Sequence, residues 1–361
     1  MSIRGKLKKF RWQLASPKHR IGWLASLHRA MLPHVTYVGV TGSCAKTTTT
    51  RLIGTVLERA GRCRTADANG IPPLSRNILS VGVLTRFCVQ EISGDHPGKI
   101  RLQTKILRPQ IGVVTTVGGD HYANFRSLEA TTREKRRLVT DLPRRGIAIL
   151  NADDPNVWRM RKRTRARVMS FGLSPNADVR ASDISSSWPN RLSLTVTHRN
   201  KSQKIQTRLV GEFWATLVLA AVTCGIACGL DLRTCAKAIA TAEPNLARCS
   251  VHEVPGGPTF VFDHKAPVWT IPHCFAFLKS ASAPRKTVIF GNLSDYAGSA
   301  GPPIAASREK HSKSPTASYS SARIPGTSKN FAKGSSPTDS WRFKRHSRRA
   351  PISRSTCCRM N

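Results

Sequence analysis

Acidic residues are scarce in this chain of 361 residues. It contains 20 Asp and Glu against 58 Lys and Arg, which gives a formal net charge of +38. Such an excess predicts attraction to nucleic acid, to an anionic membrane or to phosphorylated substrates, but it carries no information about the fold. An arginine-rich composition without any such partner is the alternative.

Aromatic residues and paired cysteines are scarce as well. Aromatic side chains make up 6% of the chain, which is too few to predict a platform on which nucleic-acid bases stack, so we expect no specific nucleic-acid partner. The ten cysteines include no C-x-x-C pair, which argues against a zinc site. Free cysteines favour a reducing compartment, and we predict a cytoplasmic location.

Long hydrophobic runs are missing too. The basic segment 1–34 has no apolar core of the kind found in a secretory signal. Its bases alternate with Phe10, Trp12 and Trp23, which indicates a weak contact with a membrane surface instead. The uncharged stretch 213–230 reaches only the lower limit for a membrane span, and we predict a buried helix there.

A loop of small residues follows the β-branched run 35–40. The sequence T-G-S-C-A-K-T-T over 41–48 is typical of a phosphate-binding loop, in which backbone N–H groups and a helix N-terminus face an anion. Lys46 would add a positive charge and the hydroxyl after it could hold Mg²⁺. The residues expected to bind the nucleotide here are Gly42, Ser43, Ala45, Lys46, Thr47 and Thr48.

This loop departs from the general pattern G-x-x-x-x-G-K-[ST] at Val40 and Ala45. Ala45 matters more, because the glycine that usually precedes the lysine often needs a backbone conformation that a Cβ disfavours. An ordinary strand, turn and helix with a surface lysine is the alternative interpretation.

The order of elements predicts an α/β protein built on a mostly parallel sheet flanked by helices. Strands are predicted at 35–40, 87–90, 111–117, 147–150 and 168–171, and a helix at 127–142. A hairpin over 191–210 and helices at 213–229 and 232–243 follow. Strands at 259–262 and 286–290 indicate a partial second α/β domain over 246–300.

The apolar pattern stops at residue 301. Segment 301–361 has thirteen Lys and Arg against two Asp and Glu and is rich in Ser and Pro, so it is predicted to be a disordered basic tail. A natural tail and translation in a wrong frame are both compatible with this change.

Several motifs in order make residues 35–300 resemble the Mur ligase family. The loop is similar to T-G-x-x-G-K-T-T, residues 108–121 to K-P-x-I-x-x-x-T-N-I-x-x-D-H, and residues 151–155 to N-x-D-D-P. The resemblance implies that 35–245 is the ATP-binding central domain and that 246–300 is part of the C-terminal domain. It also implies ATP and Mg²⁺ as cofactors and amide-bond formation between an unidentified carboxylate substrate and an amino acid or amine, through an acyl phosphate.

The resemblance also implies roles for single residues. Glu91 and His121 would bind Mg²⁺ together with Thr47, and Lys135 would be the lysine that several family members carbamylate, so that it holds a second Mg²⁺. Lys46, His121 and Lys135 would be the catalytic residues. Further contacts to the nucleotide are implied for Asn151, Asp154, Arg248, Asp263 and Lys265. A solvated basic helix is the alternative for Lys135, because Arg133, Arg136 and Arg137 surround it.

Other features depart from the family pattern. Phe213, Trp214 and Leu217 replace the usual His, Asn and Asn on the helix that contacts adenine, although Trp214 could stack on a base. Segment 1–34 is too short for the family's UDP-binding domain, and the C-terminal domain is incomplete. A truncated or inactive copy, a nucleotide-binding module without ligase activity and, less favoured, a basic nucleic-acid-binding ATPase therefore stay open.

Overall fold

The computed structural model describes residues 17–119, 122–263, 268–290 and 317–321. A nine-stranded sheet in the order β2-β3-β1-β4-β5-β6-β7-β8-β9 is its central element. The strands are β1 (Thr36–Thr41), β2 (Cys63–Ala66), β3 (Phe87–Glu91), β4 (Ile111–Val114), β5 (Ile147–Asn151), β6 (Arg167–Gly172), β7 (Val179–Ser185), β8 (Ser193–His198) and β9 (Lys201–Gln206).

The sheet is mostly parallel, as predicted. The first seven strands, β1 to β7, pair with one another in parallel. Strand β8 is antiparallel to β7 and forms an antiparallel hairpin with β9 at one edge of the sheet. Every residue of β3 and β4 is buried, as expected for central parallel strands that are covered by helices on both faces. The carboxyl ends of β1, β3, β4 and β5 therefore meet at one edge of the sheet.

Helices cover both faces of this sheet. They are α1 (Pro17–Ala30), α2 (Lys46–Leu57), α3 (Ile71–Leu79), α4 (Lys99–Leu107), α5 (Tyr122–Phe125), α6 (Leu128–Thr140), α7 (Pro155–Trp158), α8 (Ala215–Ala227) and α9 (Leu232–Thr241). Helices α2, α8 and α9 share one apolar core on one face, whereas α1, α3, α4 and α6 contribute to a second core on the other.

Helix α8 lies in the uncharged stretch 213–230. It is 13 residues long and most of its side chains are buried in the first core, as predicted. Within the described part of the chain, no helix has the length and apolar character needed to cross a membrane.

A smaller α/β unit follows the sheet. It contains β10 (Arg248–Glu253), β11 (Thr259–Asp263), α10 (Ile271–Ser280), β12 (Lys286–Phe290) and β13 (Ala317–Ser321). Strands β10 and β11 are antiparallel, and β12 pairs in parallel with β13.

Strand β13 lies within segment 301–361, for which a disordered tail was predicted. Its residues 317–321 pair in parallel with β12, which gives their backbone groups hydrogen-bond partners. The rest of that segment lies outside the described residues, as do 1–16, His121 and Lys265.

Strands β2 and β7 of the large sheet were not predicted from the sequence, and neither was β10 of the smaller unit. Strand β2 is short and holds only one β-branched residue, Thr65, and β7 is half polar, with exposed side chains along much of its length. Strands β2 and β7 therefore gain their regularity from neighbouring strands rather than from an apolar pattern of their own.

Candidate functional site

The loop between β1 and α2 has a tightly constrained backbone. Ala45, the N-cap residue of α2, has φ 66° and ψ 2°, which is the left-handed conformation that favours glycine. An L-residue in this region costs about 1–2 kcal/mol. Gly42 has φ 155°, and a Cβ built there would lie 1.9 Å from Oγ1 of Thr115. The structure therefore agrees with the expectation that the position of Ala45 suits glycine, and it adds a steric requirement at Gly42.

The first turn of α2 offers backbone donors at this loop. Ala45 has no side-chain acceptor, and within the described residues no side chain caps the helix. The first N–H groups of an α-helix have no acceptor inside the helix, and they form the positive end of its dipole. The Lys46 ammonium lies beside them and donates to the carbonyls of Gly42 at 2.9 Å and Ser43 at 3.3 Å. Such a convergence of donors fits a phosphate group.

Thr47 and Glu91 meet at the carboxyl edge of the sheet. Val40 at the end of β1 pairs with Glu91 at the end of β3, which brings the two elements together. Thr47 Oγ1 donates a 2.8 Å hydrogen bond to Glu91 Oε2, and Glu91 is only 2% exposed. A hydroxyl and a carboxylate are oxygen ligands of the kind Mg²⁺ prefers, so the donor set fits that ion.

Asn69 is a member of this group that sequence reasoning missed. Its Nδ2 donates to the other carboxylate oxygen of Glu91 at 3.4 Å. It precedes α3 in a connection without a recognisable motif. The only available signal was its place after the β2 segment, which was itself not predicted.

Asn151, the last residue of β5, and Asp154, three residues later, lie at the same edge of the sheet. Asn151 Nδ2 donates to the carbonyl of Thr115 at 2.9 Å. One oxygen of Asp154 caps α7, and the other accepts from Thr116 Oγ1 and from the N–H of Val117, each at 2.7 Å. Both side chains thus fix the chain that leaves β4 towards residues 120 and 121.

Lys135 lies in the interior of the protein. Its relative exposure is 0%, so the prediction of a solvated basic helix is wrong for this residue. The face of α6 that carries Arg133 is solvated, since Arg133 pairs with Glu129 at 2.8 Å in an exposed position. Beside Lys135, the Glu134 carboxylate accepts from the N–H groups of Gly98 and Ile100 and so caps α4.

The second α/β unit reaches the site through the linker and one tryptophan. The linker is the connection 242–247 between α9 and β10. Within it, Asn245 Nδ2 lies 3.5 Å from Thr48 Oγ1 of α2. Strand β10 then begins at Arg248, which pairs in register with Asp263 of β11. A Cβ on Gly118 would come within 2.5 Å of the Trp269 ring, so this ring packs on the chain that follows β4. Sequence reasoning missed Trp269, although a tryptophan close to the segment 263–267 was an available signal.

Trp214 does not offer a surface for a base. It is 7% exposed and belongs to the core between the sheet and α8, where Phe213 packs beside it with ring centroids 5.1 Å apart. The expectation that Trp214 could stack on an adenine is therefore wrong, because its ring is needed for packing.

A cavity of about 730 Å³ opens elsewhere in the protein. It is lined by the start of β6, by Arg180 and Arg199 near the β7–β8 pair, and by Leu230 after α8. These positions lie at the amino end of β6, opposite the edge that carries Thr47 and Glu91. The cavity contains none of the predicted site residues.

Comparisons with known proteins agree with this architecture. Residues 40–225 match the family model described as the Mur ligase middle domain. The chain is 31% identical over 218 residues to the UDP-N-acetylmuramoyl-tripeptide--D-alanyl-D-alanine ligase of Mycobacterium bovis, in an alignment that covers 58% of this chain and 42% of that protein. The chain thus spans less than half the length of this curated relative.

Solved structures extend the likeness to the fold. MurF from Acinetobacter baumannii superposes with a TM-score of 0.73 at 21% identity, covering 78% of this chain and 62% of that one. MurF ligase from Thermotoga maritima in complex with ADP gives a TM-score of 0.68 at 19% identity, covering 78% of this chain and 65% of that one. At these identities the likeness concerns the fold.

Proposed function

The chain belongs to the Mur ligase family, and on that premise we propose that it is an ATP-dependent ligase that joins a carboxylate substrate to an amino acid or amine. The observation that carries the proposal is the group formed by the uncapped first turn of α2, Lys46 and the Thr47–Glu91 pair. Phosphate donors and oxygen ligands for a cation meet there within a few residues, which is what binding a nucleoside triphosphate requires.

The proposed reaction has two steps. A substrate carboxylate oxygen attacks the γ-phosphorus of ATP, the bond to the β-phosphate oxygen breaks, and ADP leaves with an acyl phosphate formed. The amine nitrogen then attacks the acyl carbon, the carbon–oxygen bond to phosphate breaks, and the amine loses a proton as phosphate leaves. The work of the protein is to position the reactants and to offset negative charge.

Each residue of the loop has a defined part in this proposal. Lys46 would leave the carbonyls of Gly42 and Ser43 and offset charge on the transferred phosphoryl group, while the backbone donors of Ala45 to Thr48 hold the neighbouring phosphates. Thr47 and Glu91 would hold Mg²⁺, which when bound supplies positive charge to the phosphate oxygens. Asn151 and Asp154 would act mainly through their hydrogen bonds to residues 115–117, by orienting the chain that approaches the nucleotide.

Further residues have proposed roles at the cation sites and at the nucleotide. Carbamylated Lys135 and His121 would complete the cation sites, and Arg248, Asp263 and Lys265 would contact the nucleotide from the second unit. The reaction would take place in the cytoplasm, where ATP is abundant and where the described cysteines, all free thiols, would stay reduced.

Binding of ATP tests the first half of the proposal. We expect the full chain to bind ATP in the presence of Mg²⁺ in a calorimetric titration, and Lys46→Ala to abolish that binding. Lys237→Ala, which removes an exposed lysine on α9, is the matched control and should bind like the parent chain. Unchanged binding in Lys46→Ala would contradict the assignment of the loop.

Release of ADP tests the second half. A panel that pairs carboxylates with amines, and includes a UDP-N-acetylmuramoyl tripeptide with D-alanyl-D-alanine, should contain a pair that stimulates ADP release. ATP binding without substrate-dependent ADP across the panel would favour the second candidate, a nucleotide-binding module. Two departures from the family pattern support that candidate: Ala45 holds a strained left-handed conformation in the loop, and Trp214 is packed in the core instead of offering a surface to adenine.

A further inference from the structure

Helix α1 has an apolar face that points away from the protein core. Trp23, Leu24 and Leu27 are 45–50% exposed, and Met31, directly after the helix, is 70% exposed. At 100° per residue these four positions fall within a single arc of the helix, while Ala25 and Leu32 on the other side are buried. The exposed residues therefore form one stripe rather than scattered surface positions.

A loop adds to this stripe. Val83 and Leu84, in the connection from α3 to β3, are each 75% exposed. Two histidines attach this loop to α1 and to the residues after it: His28 Nε2 lies 2.7 Å from the carbonyl of Val81, and His34 Nε2 lies 2.9 Å from the carbonyl of Val83. We call the apolar side chains of both elements together the α1 face. Its members are Trp23, Leu24, Leu27, Met31, Val83 and Leu84.

The surroundings of the α1 face carry charge of one sign. Helices α1, α3 and α4 and the loop 80–86 contain no Asp or Glu, and the first acidic residue of the chain is Glu58. Exposed bases occur on all three helices, at Arg20, Arg76, Arg101 and Lys105. In sequence, the segment before α1 adds five more bases and no acid.

We propose that the α1 face docks on the surface of an anionic lipid membrane. A stripe of apolar side chains that includes a tryptophan, surrounded by bases, matches the requirements of the boundary between headgroups and acyl chains. Each base near an anionic leaflet adds attraction to the lipid headgroups. The phosphate backbone of a nucleic acid would complement the bases, but it would leave six exposed apolar side chains without a partner. This inference is independent of the proposed ligase activity.

Flotation of the full chain with vesicles tests the docking. We expect it to float with vesicles of phosphatidylcholine that contain one-third phosphatidylglycerol, and to stay in solution with pure phosphatidylcholine. The double variant Leu24→Ser with Leu27→Ser should lower the partition coefficient by about tenfold or more, because it removes two apolar side chains from the buried area. The double variant Val83→Ser with Leu84→Ser, in the loop from α3 to β3, should lower the partition coefficient to a similar extent.

Leu173→Ser is the matched control, since Leu173 is 50% exposed in the connection from β6 to β7. It should partition like the parent chain, and all variants should keep the parent's unfolding temperature because the altered side chains face solvent. Raised salt should release the parent chain from the anionic vesicles.

Three results would overturn the proposal. The parent chain could fail to float with anionic vesicles, or both double variants could float as well as Leu173→Ser. The parent chain could also form a dimer in light scattering that both double variants convert to a monomer without any change in flotation, which would assign the α1 face to a second copy of the chain.

Discussion

Thr47 Oγ1 donates a 2.8 Å hydrogen bond to a carboxylate oxygen of the nearly fully buried Glu91. The two residues are 44 positions apart in sequence, and they meet because β1 and β3 are parallel neighbours whose carboxyl ends lie at one edge of the sheet. The contact joins the helix that follows the loop to a strand end, and it places two oxygen ligands beside a group of phosphate donors.

Replacing Glu91 by glutamine tests whether this pair holds a cation. Glu91→Gln keeps the shape of the side chain and an oxygen that can accept from Thr47, but it removes the charge that attracts Mg²⁺. We expect Mg²⁺ to improve ATP affinity in the parent chain and to do so about tenfold less in the variant. Titrations with ATP in Mg²⁺ and in a chelator measure the difference. Asp67→Asn, which alters an ion pair with the exposed Arg51, is the control, and equal Mg²⁺ dependence in parent and Glu91→Gln would refute the assignment.

Gly42→Ala should disrupt the loop by direct collision. The added Cβ would lie 1.9 Å from Oγ1 of Thr115, and overpacking of this kind costs about 1–3 kcal/mol. The double variant Gly42→Ala with Thr115→Ala should recover part of that cost, because the colliding hydroxyl is gone. Urea unfolding of both single variants and the double variant gives the coupling energy. Strictly additive effects would show that the two residues do not meet.

Ala45→Gly should stabilise the protein. Glycine adopts the left-handed conformation of this position without the cost that a Cβ brings, so we expect a gain of about 1 kcal/mol in the free energy of unfolding. For a domain of this size that corresponds to a rise in unfolding temperature of about 2–4 °C. Ala240→Gly, within helix α9, should instead lower stability by about 1 kcal/mol. A loss of stability in Ala45→Gly would mean that Ala45 does not hold this conformation.

The alternation of strands and helices along the sequence was sufficient for the parallel sheet, as was the β-branched run before the loop for β1. That Thr47 and Glu91 belong together followed only from the resemblance to the family, and the structure brings them into contact because the carboxyl ends of the parallel strands β1 and β3 converge. The sequence could not reveal the burial of Lys135, since the charged neighbours of that residue favour a solvated helix and only tertiary packing decides which face is inside. Asn69 and Trp269 were missed for a related reason. Their contacts with Glu91 and Gly118 join segments far apart in the chain and leave no local pattern.

The buried thiol of Cys63 should lower the free energy of unfolding as the pH becomes alkaline. Burial raises the pKa of the Cys63 thiol from its ordinary value of 9.0 to about 12. The folded state therefore holds a proton that the unfolded state loses above pH 9, so this contribution is complete below the ordinary pKa and falls as the pH rises towards 12. Between those values one such group lowers the free energy of unfolding by up to about 1.4 kcal/mol per pH unit.

The variant Cys63→Ala isolates this contribution from those of other titrating groups. Its free energy of unfolding in urea should fall less steeply above pH 9 than that of the parent chain, and the two curves should run parallel at neutral pH. Identical slopes over the alkaline range would show that the thiol titrates alike in both states. Cys44→Ala changes a half-buried cysteine of the loop and serves as the comparison.

Lys135 should accept carbon dioxide if its proposed role is correct. Carbamylation joins the neutral amine nitrogen to the carbon of CO₂, the nitrogen loses a proton, and the product is a carboxylate that could serve as an oxygen ligand for a cation. Full burial would protect such a carbamate from water, whereas an exposed lysine gains no such protection. With ¹³C-labelled bicarbonate, we expect the full chain to show a carbamate carbon resonance that Lys135→Arg lacks and that Lys237→Ala retains. A resonance that survives in Lys135→Arg would assign it to another amine, and its absence from the parent chain would remove Lys135 from the proposed cation site.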